Sequence, residues 1–152
     1  MKTILIIGAS GFIGTQAMRH LDSLGYNVKG ISRTVSRTEE VSYVYDYFND
    51  PKMDKFFCGV DTVILASGLA HKKDKYKQYE NSTYQKINEE LPIHIFEKCK
   101  KFQIKKLILF SSIGVLGRYS DKMQLTETST KYPKGNYIIS KINLENRLLS
   151  LG

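Results

Sequence analysis

Tyr137 and Lys141 stand four residues apart in a stretch with helical patterning, so their side chains share one helix face. A phenol with an ordinary pKa near ~10 is a poor acid or base at neutral pH. An ammonium close by favours the phenolate and turns the phenol into a usable proton shuttle. Ser112 ends an apolar run and adds a hydroxyl where open parallel sheets place their ligands, beyond the strand carboxyl ends. At the other end of the chain, Gly8-Ala9-Ser10-Gly11-Phe12-Ile13-Gly14 follows the apolar run Ile4-Leu5-Ile6-Ile7. A buried strand, a glycine-rich turn and a helix start is the order that a dinucleotide pyrophosphate requires. A Tyr-x-x-x-Lys pair alone is common, and so are glycines after a strand. Together with a Ser-Ser at a strand end they stop looking accidental: a tyrosine and a lysine that could use a bound dinucleotide.

Elements must position these residues, and the pattern alternates strand and helix. Strands are predicted over Lys2 to Ile7, Asn27 to Ile31, Val41 to Tyr45, Asp61 to Ala66 and Lys106 to Ser111. Helices are predicted over Phe12 to Leu24, closed by Gly25, and over Pro51 to Phe57, with Asp50 as N-cap and Pro51 at the first helical position. A long helix covers much of Ser82 to Lys101, with Pro92 marking a kink or step, and a last helix runs from Tyr137 to Leu149. This alternation predicts an α/β fold, a Rossmann-like doubly wound parallel sheet with helices on both faces. The segment Leu116 to Asn136 carries no strong period and reads as an active-site loop.

With 152 residues, 41% hydrophobic and 25% charged, the chain reads as one soluble globular domain. No apolar stretch approaches the ~20 residues of a membrane span, and the start is too short for a signal-peptide core. A cytoplasmic protein without membrane attachment is therefore expected. Cys58 and Cys99 have no metal-like spacing, so no metal site is expected, and both read as buried or half-buried structural thiols. The net charge of +8 is spread over Lys72, Lys73, Lys75 and Lys77, then Lys98, Lys100, Lys101, Lys105 and Lys106 around a helix end. That distribution suits a solvated face complementing a helix dipole and an anionic cofactor or substrate better than it suits nucleic acid.

The three glycines divide the work. Gly8 permits the sharp exit from the strand, Gly11 lets the pyrophosphate approach the backbone, and Gly14 lets the helix pack on the sheet. NAD-selective folds carry an acidic residue about 20 positions on; here that place holds Ser32, followed by Arg33. A hydroxyl beside a guanidinium suits a 2′-phosphate, which favours NADP over NAD, with Arg37 assisting. Arg33 stacked on adenine or turned to solvent is the competing reading.

At this point the sequence resembles the extended short-chain dehydrogenase/reductase superfamily, specifically the NAD-dependent epimerase/dehydratase family acting on nucleotide sugars. The resemblance is carried by Gly8 to Gly14, the run Val60 to Gly68, Asn88, Phe110-Ser111-Ser112-Ile113-Gly114-Val115-Leu116-Gly117, and Tyr137 with Lys141. It implies that Tyr137 is the general acid/base, that Lys141 bonds the nicotinamide ribose, and that Ser112, rather than Ser111, bonds the reacting oxygen. It further implies that Asp46, with Tyr47 beside it, contacts adenine, that Ala66, Ser67 and Gly68 pass the ribose and phosphates, and that Asn88 shapes the site. The bland readings of Asp46 and Asn88 are a turn former and a polar helix residue. Leu116 stands where the family commonly has tyrosine, Ser67-Gly68 replaces a pair of alanines, and Ser32-Arg33 replaces the acidic residue. The resemblance implies a nucleotide-sugar substrate and a homodimer through the helix from Ser82 and the helix after Tyr137. It also implies that residues 1–152 are a single NAD(P)-binding domain, an N-terminal portion without the family's C-terminal strands and substrate lobe. A non-catalytic NADP-binding module and a redox-sensing regulator of the same fold are the alternatives.

Overall fold

The aliphatic runs pair as one parallel sheet in the order β3-β2-β1-β4-β5, with β1 (Thr3–Ile7) at its centre. The structure, a computed structural model, describes residues 1–34, 41–70, 80–117 and 125–151. β2 (Asn27–Ser32) and β4 (Thr62–Leu65) flank β1, and β3 (Val41–Tyr43) and β5 (Lys106–Leu109) lie at the edges. The register sets Ile7 opposite Ile31 on one side and Leu65 on the other. Three strands therefore finish at one level. The chain builds outward from β1 to β3, then returns to the far side of β1 as β4, which creates a switch point beyond the ends of β1 and β4.

Alternation along the strands explains why every residue of β1 is buried. Leu5, Ile7, Val63 and Leu65 face α2 (Met53–Phe57) and α4 (Leu91–Lys101), meeting Met53, Phe57, Leu91, Ile95 and Cys99. Ile4, Ile6 and Ile64 face the other way and pack with Ala9 and Met18, the latter from α1 (Phe12–Ser23). Each of these aliphatic side chains contributes roughly 1.5–3 kcal/mol by leaving water.

The predicted elements are all present, with shifts that have physical reasons. α2 begins at Met53 instead of Pro51 because the Asp50 carboxylate holds a tighter turn first, accepting from the Lys52 amide at 2.9 Å and the Tyr45 amide at 3.0 Å. That same bond ends β3 at Tyr43, two residues early. The long helix from Ser82 is three pieces: α3 (Asn81–Gln85), a π-helical turn (Lys86–Glu90) and α4. Pro92 has no N–H for the Asn88 carbonyl, and the wider turn just before it is the step the sequence anticipated. β5 ends at Leu109 rather than Ser111, and Ser112 then caps a short 3₁₀ turn (Ile113–Leu116) that the pattern did not predict. The last helix, α5, spans Asn136–Leu151.

Cys99 is buried, but Cys58 is exposed, against the expectation of two sheltered thiols. Cys58 sits just past the last turn of α2, on the solvent side of Phe57. Lys98 and Lys101, near the carboxyl end of α4, both pair with Asp54 of α2. Lys72 to Lys77 lie outside the described residues. Among the described residues no helix is long and apolar enough to cross a membrane. The chain falls into two compact units: Met1–Gly68 with Leu91–Phe110, which carries the sheet, and Leu69–Glu90 with Ser111–Gly152, which carries α3, the π turn, the 3₁₀ turn and α5.

Candidate functional site

In the first unit the glycine turn is built by close approach. Gly8 has φ +88°, and a Cβ there would stand 2.6 Å from the Ser67 backbone nitrogen. The amides of Gly8 and Ala9 both donate to the Ile31 carbonyl, at 2.9 and 3.1 Å, which ties the turn to β2. A Cβ on Gly14 would meet the Gly8 carbonyl oxygen at 2.2 Å, so α1 reaches the sheet only because that residue is glycine. Gly11 is different: its Cβ would meet only the Gly8 oxygen, at 3.2 Å. Packing is thus far less demanding at 11 than at 8 or 14, although that contact is still a tight one against backbone. Gly11 is also the N-cap of α1 and offers no side-chain acceptor, and the first turn has no acidic residue. By position, the amides of Phe12, Ile13 and Gly14 lack intrahelical acceptors, so the positive helix end is available to an anion.

A cavity of about 320 Å³ opens over this turn, lined by Gly8, Ser10 and Gly11, by Ser32 to Thr34 after β2, by Tyr47, and by Ala66 to Gly68 after β4. Among the described lining residues Arg33 is the single cation and there is no carboxylate. Ser32 is buried, and its hydroxyl is paired with Ser10 and accepts from the Thr34 amide at 3.1 Å. Its hydrogen bonds are thus spent on the protein. The Arg33 guanidinium lies over the Tyr47 ring, 5.3 Å from its centroid. Burial pushes the Tyr47 phenol above its ordinary pKa, opposed by the Arg33 charge and by hydrogen bonds from the Arg33 backbone, Ser67 and Ser32. Asp46 accepts from the Phe48 amide at 2.7 Å and the Asn49 side chain at 3.3 Å, closing the turn that presents Tyr47. Asp46 is not among the lining residues, nor are Phe12 and Ile13, whose side chains are exposed. Arg37 lies outside the described residues. Glycines at the points of close approach, a free helix start and a carboxylate-free wall fit the phosphates and adenosine ribose of a dinucleotide.

The second unit holds Ser112, Tyr137, Lys141 and Asn88. Lys141 is buried, with its ammonium over the Tyr137 ring at 5.9 Å from the centroid. Desolvation lowers the Lys141 pKa, and the Glu145 carboxylate one turn on opposes that shift. Burial works against the Glu145 charge, yet hydrogen bonds from Lys131 and Ser111 and the charges of Lys131 and Lys141 hold its pKa below the ordinary value. Ser111 is therefore occupied with Glu145, whereas Ser112 caps the 3₁₀ turn by accepting from the Gly114 amide at 3.2 Å. That turn lies tight on the start of α5: a Cβ on Gly114 would come within 2.5 Å of Ile138 Cδ1. Asn88 is buried and fully engaged, accepting from the Leu69 amide at 2.9 Å and donating to the Leu69 carbonyl at 2.8 Å and to Ser140 at 3.1 Å. It splices the segment after Gly68 to α5. Of the loop from Leu116 to Asn136, residues 118–124 lie outside the described residues, and Tyr132 donates its amide to the Val115 carbonyl at 2.8 Å.

Sequence reasoning missed Thr34, Ser140, Glu145 and Lys131. Glu145 was reachable, since it follows Lys141 by one helical turn. Thr34 and Ser140 were also within reach, being next to Arg33 and Lys141 in the chain, whereas Lys131 is joined to Glu145 by folding alone.

A family model for the NAD-dependent epimerase/dehydratase family matches residues 4–151. The chain belongs to that family. It is 28% identical over 115 residues to the N-acetyl-α-D-glucosaminyl-diphospho-ditrans,octacis-undecaprenol 4-epimerase of Escherichia coli O157:H7, covering 75% of this chain and 33% of that protein. Among solved structures, a UDP-N-acetylglucosamine 4-epimerase from Methanobrevibacter ruminantium M1, in complex with UDP-N-acetylmuramic acid, superposes with a TM-score of 0.78 at 25% identity. The alignment covers 99% of this chain and 50% of that one. MoeE5 in complex with UDP-glucose and NAD matches with a TM-score of 0.80 at 22% identity, covering 97% of this chain and 48% of that one. This last likeness shows the fold, the Rossmann-like parallel sheet. The chain spans about a third of the length of the curated relative and about half that of the solved ones.

Proposed function

We propose that this chain is the cofactor-binding portion of an NAD(P)-dependent enzyme that epimerises, dehydrates or reduces a nucleotide-linked sugar. The observation that carries the reading is the glycine turn beneath a cavity at the carboxyl ends of β1, β2 and β4, in a chain that the family model matches over residues 4–151. The relatives named above, a diphospho-undecaprenol sugar epimerase and UDP-sugar proteins, support the substrate class.

When bound, the nicotinamide supplies a hydride acceptor and donor. Tyr137, as phenolate, takes the proton from the sugar hydroxyl being oxidised, and Ser112 donates a hydrogen bond to that oxygen. The Lys141 ammonium stabilises the phenolate, and Glu145 sustains that ammonium against burial. The ketone left behind is reduced again, loses water, or departs as product.

Arg33 and the lack of a carboxylate among the described lining residues support NADP over NAD. MoeE5 and the UDP-glucuronic acid 4-epimerase from Bacillus cereus are in complex with NAD, so this preference is argued from the pocket of this chain alone. A homodimer through the helices around Ser82 and after Tyr137 is part of the same reading. The competing reading is a module of the same fold that binds the cofactor without turnover.

Calorimetric titration of this chain with NAD and NADP tests the binding: saturable binding with NADP tighter is expected, and no binding of either refutes it. In a protein extended to the relatives' length, Tyr137→Phe should reduce turnover by about 10²–10⁴ while leaving cofactor affinity unchanged. Unchanged turnover removes Tyr137 from the chemistry.

A further inference from the structure

Tyr47 is an unusual wall for a nucleotide pocket, because its ring is nearly inaccessible, 3% exposed, while the cation resting on it is exposed. The ring is fixed from behind. Asp46 holds the Phe48 amide at 2.7 Å, Asp50 holds the Tyr45 amide at 3.0 Å, and the Asp50 amide returns to the Asp46 carbonyl at 3.2 Å. Two aspartate-closed turns thus clamp the backbone on either side of Tyr47, and the ring itself packs in the core with Val44, Met53 and Phe57. Arg33 has the opposite character: a long side chain at the end of β2, with none of the described acidic side chains lining the cavity beside it. A free arginine fork has many rotamers to lose before it can grip an anion. The guanidinium carbon lies over Tyr47, 5.3 Å from the ring centroid, and both residues line the cavity, so the contact removes rotamers that a free arginine would have to lose on binding.

We propose that Tyr47 is a positioning residue for ribose specificity: its ring holds the Arg33 guanidinium at the wall of the pocket, preset for a phosphomonoester on the 2′-oxygen of the adenosine ribose. Ser32 is bonded to Ser10, to the Thr34 amide at 3.1 Å and to Tyr47 and carries no charge, which makes Arg33 the group able to pair with a phosphate. Discrimination between a 2′-phosphate and a 2′-hydroxyl therefore falls on Arg33, and its strength depends on how well the ring orders it. The inference rests on the dinucleotide reading of this cavity.

The probes are adenosine 2′,5′-bisphosphate and adenosine 5′-monophosphate, titrated by calorimetry into the intact chain. The wild type should prefer the bisphosphate, and Arg33→Ala should lose at least about tenfold of that preference, as charge-assisted hydrogen bonds disappear. Tyr47→Phe keeps the ring but loses the hydroxyl bonded by the Arg33 backbone, Ser67 and Ser32, so it should retain most of the preference and lose less than Tyr47→Leu. Tyr47→Leu removes it and should reduce the preference about three- to fivefold, the magnitude of an exposed cation–π contact, with affinity for the monophosphate unchanged. Because Tyr47 is a core residue, the Arg33 side-chain Nε–H resonance of the wild type gives a second measurement: ring-shifted and protected if the stack exists, averaged and unshifted if it does not. An unshifted resonance, an unaltered preference in folded Tyr47→Leu, or a loss in Tyr47→Phe equal to that in Tyr47→Leu overturns the proposal. Failure of the wild type to bind either nucleotide overturns the dinucleotide reading itself, whereas tight binding without 2′-phosphate preference overturns the roles of Arg33 and Tyr47 and the NADP preference but leaves the dinucleotide reading standing.

Discussion

Gly14→Ala is the most informative single change in the glycine turn, because its cost follows from one distance. The added methyl would sit 2.2 Å from the Gly8 carbonyl oxygen and 2.8 Å from Ala9 Cα, both backbone atoms that cannot rotate away. Reaching ordinary carbon–oxygen contact needs α1 to move by about 1 Å, an overpacking cost near the upper end of the usual ~1–3 kcal/mol. Alanine returns about 1 kcal/mol through its better helix propensity, leaving a net loss of about 2 kcal/mol. For a domain of this size that corresponds to a fall in Tm of roughly 4–8 °C. Gly11→Ala is the milder comparison: its methyl would meet a single backbone atom at 3.2 Å and alanine is a poorer N-cap than glycine, so Tm should fall by less than in Gly14→Ala, about 2–4 °C. Cofactor binding should rank the two differently. Gly11→Ala should weaken NADP by tenfold or more from a nearly intact fold, whereas Gly14→Ala should lose stability and affinity together. Thermal unfolding by circular dichroism, paired with calorimetry, separates these outcomes. A Gly14→Ala protein melting within a degree of wild type would refute the packing argument, and a Gly11→Ala protein with wild-type affinity would refute the pyrophosphate assignment.

Three further outcomes are expected. Asn88→Ala should destabilise by about 3 kcal/mol in chemical denaturation, since it leaves the Leu69 amide and carbonyl and the Ser140 hydroxyl without their partner; a change below about 1 kcal/mol would mean that water replaces it. A thiol reagent should modify Cys58 rapidly in the native protein and Cys99 only on unfolding, because Cys99 is buried and its thiol is pushed up to about 11; two equally fast thiols would contradict this. Hydrogen bonds from Lys101 and Lys98 lower the Asp54 pKa to about 2, so its folded value lies below its unfolded value, and its stabilisation is present above about pH 4 and lost as pH falls toward 2. The pair is partly exposed, so Asp54→Asn should cost less than about 1 kcal/mol at pH 7, and a gap from wild type that fails to narrow in acid would count against the pairing.

The fold was legible because burial on both faces demands uninterrupted aliphatic runs, and Ile4 to Ile7 and Val63 to Leu65 are such runs. The glycine turn was legible for a related reason: Gly8 and Gly14 answer local backbone demands that leave only one residue type possible. The shifts at β3 and α2 arise from Asp50, whose carboxylate serves Tyr45 behind it and Lys52 ahead, and a residue acting in both directions has no one-way spacing to read. The 3₁₀ turn after Ser112 is too short to show a period. At the site, Ser32 drew attention as the ribose contact from its place in the sequence. Whether a hydroxyl is free or already bonded is settled by tertiary neighbours, here Ser10. Asp46 illustrates the same limit, with its carboxylate turned to the Phe48 amide and the Asn49 side chain.

β5 pairs with β4 on one side and, among the described residues, with no strand on the other. A row of unpaired backbone donors and acceptors beside the half-buried Leu107, Ile108 and Leu109 is a template on which a second molecule's strand can add. Lys105 and Lys106, at the head of that strand, are the kind of charges that keep such an edge from seeding aggregates. The practical consequence concerns handling: solubility of this chain should depend on these two lysines more than on the many others it carries. High salt, which screens them, should be the condition under which it first clouds.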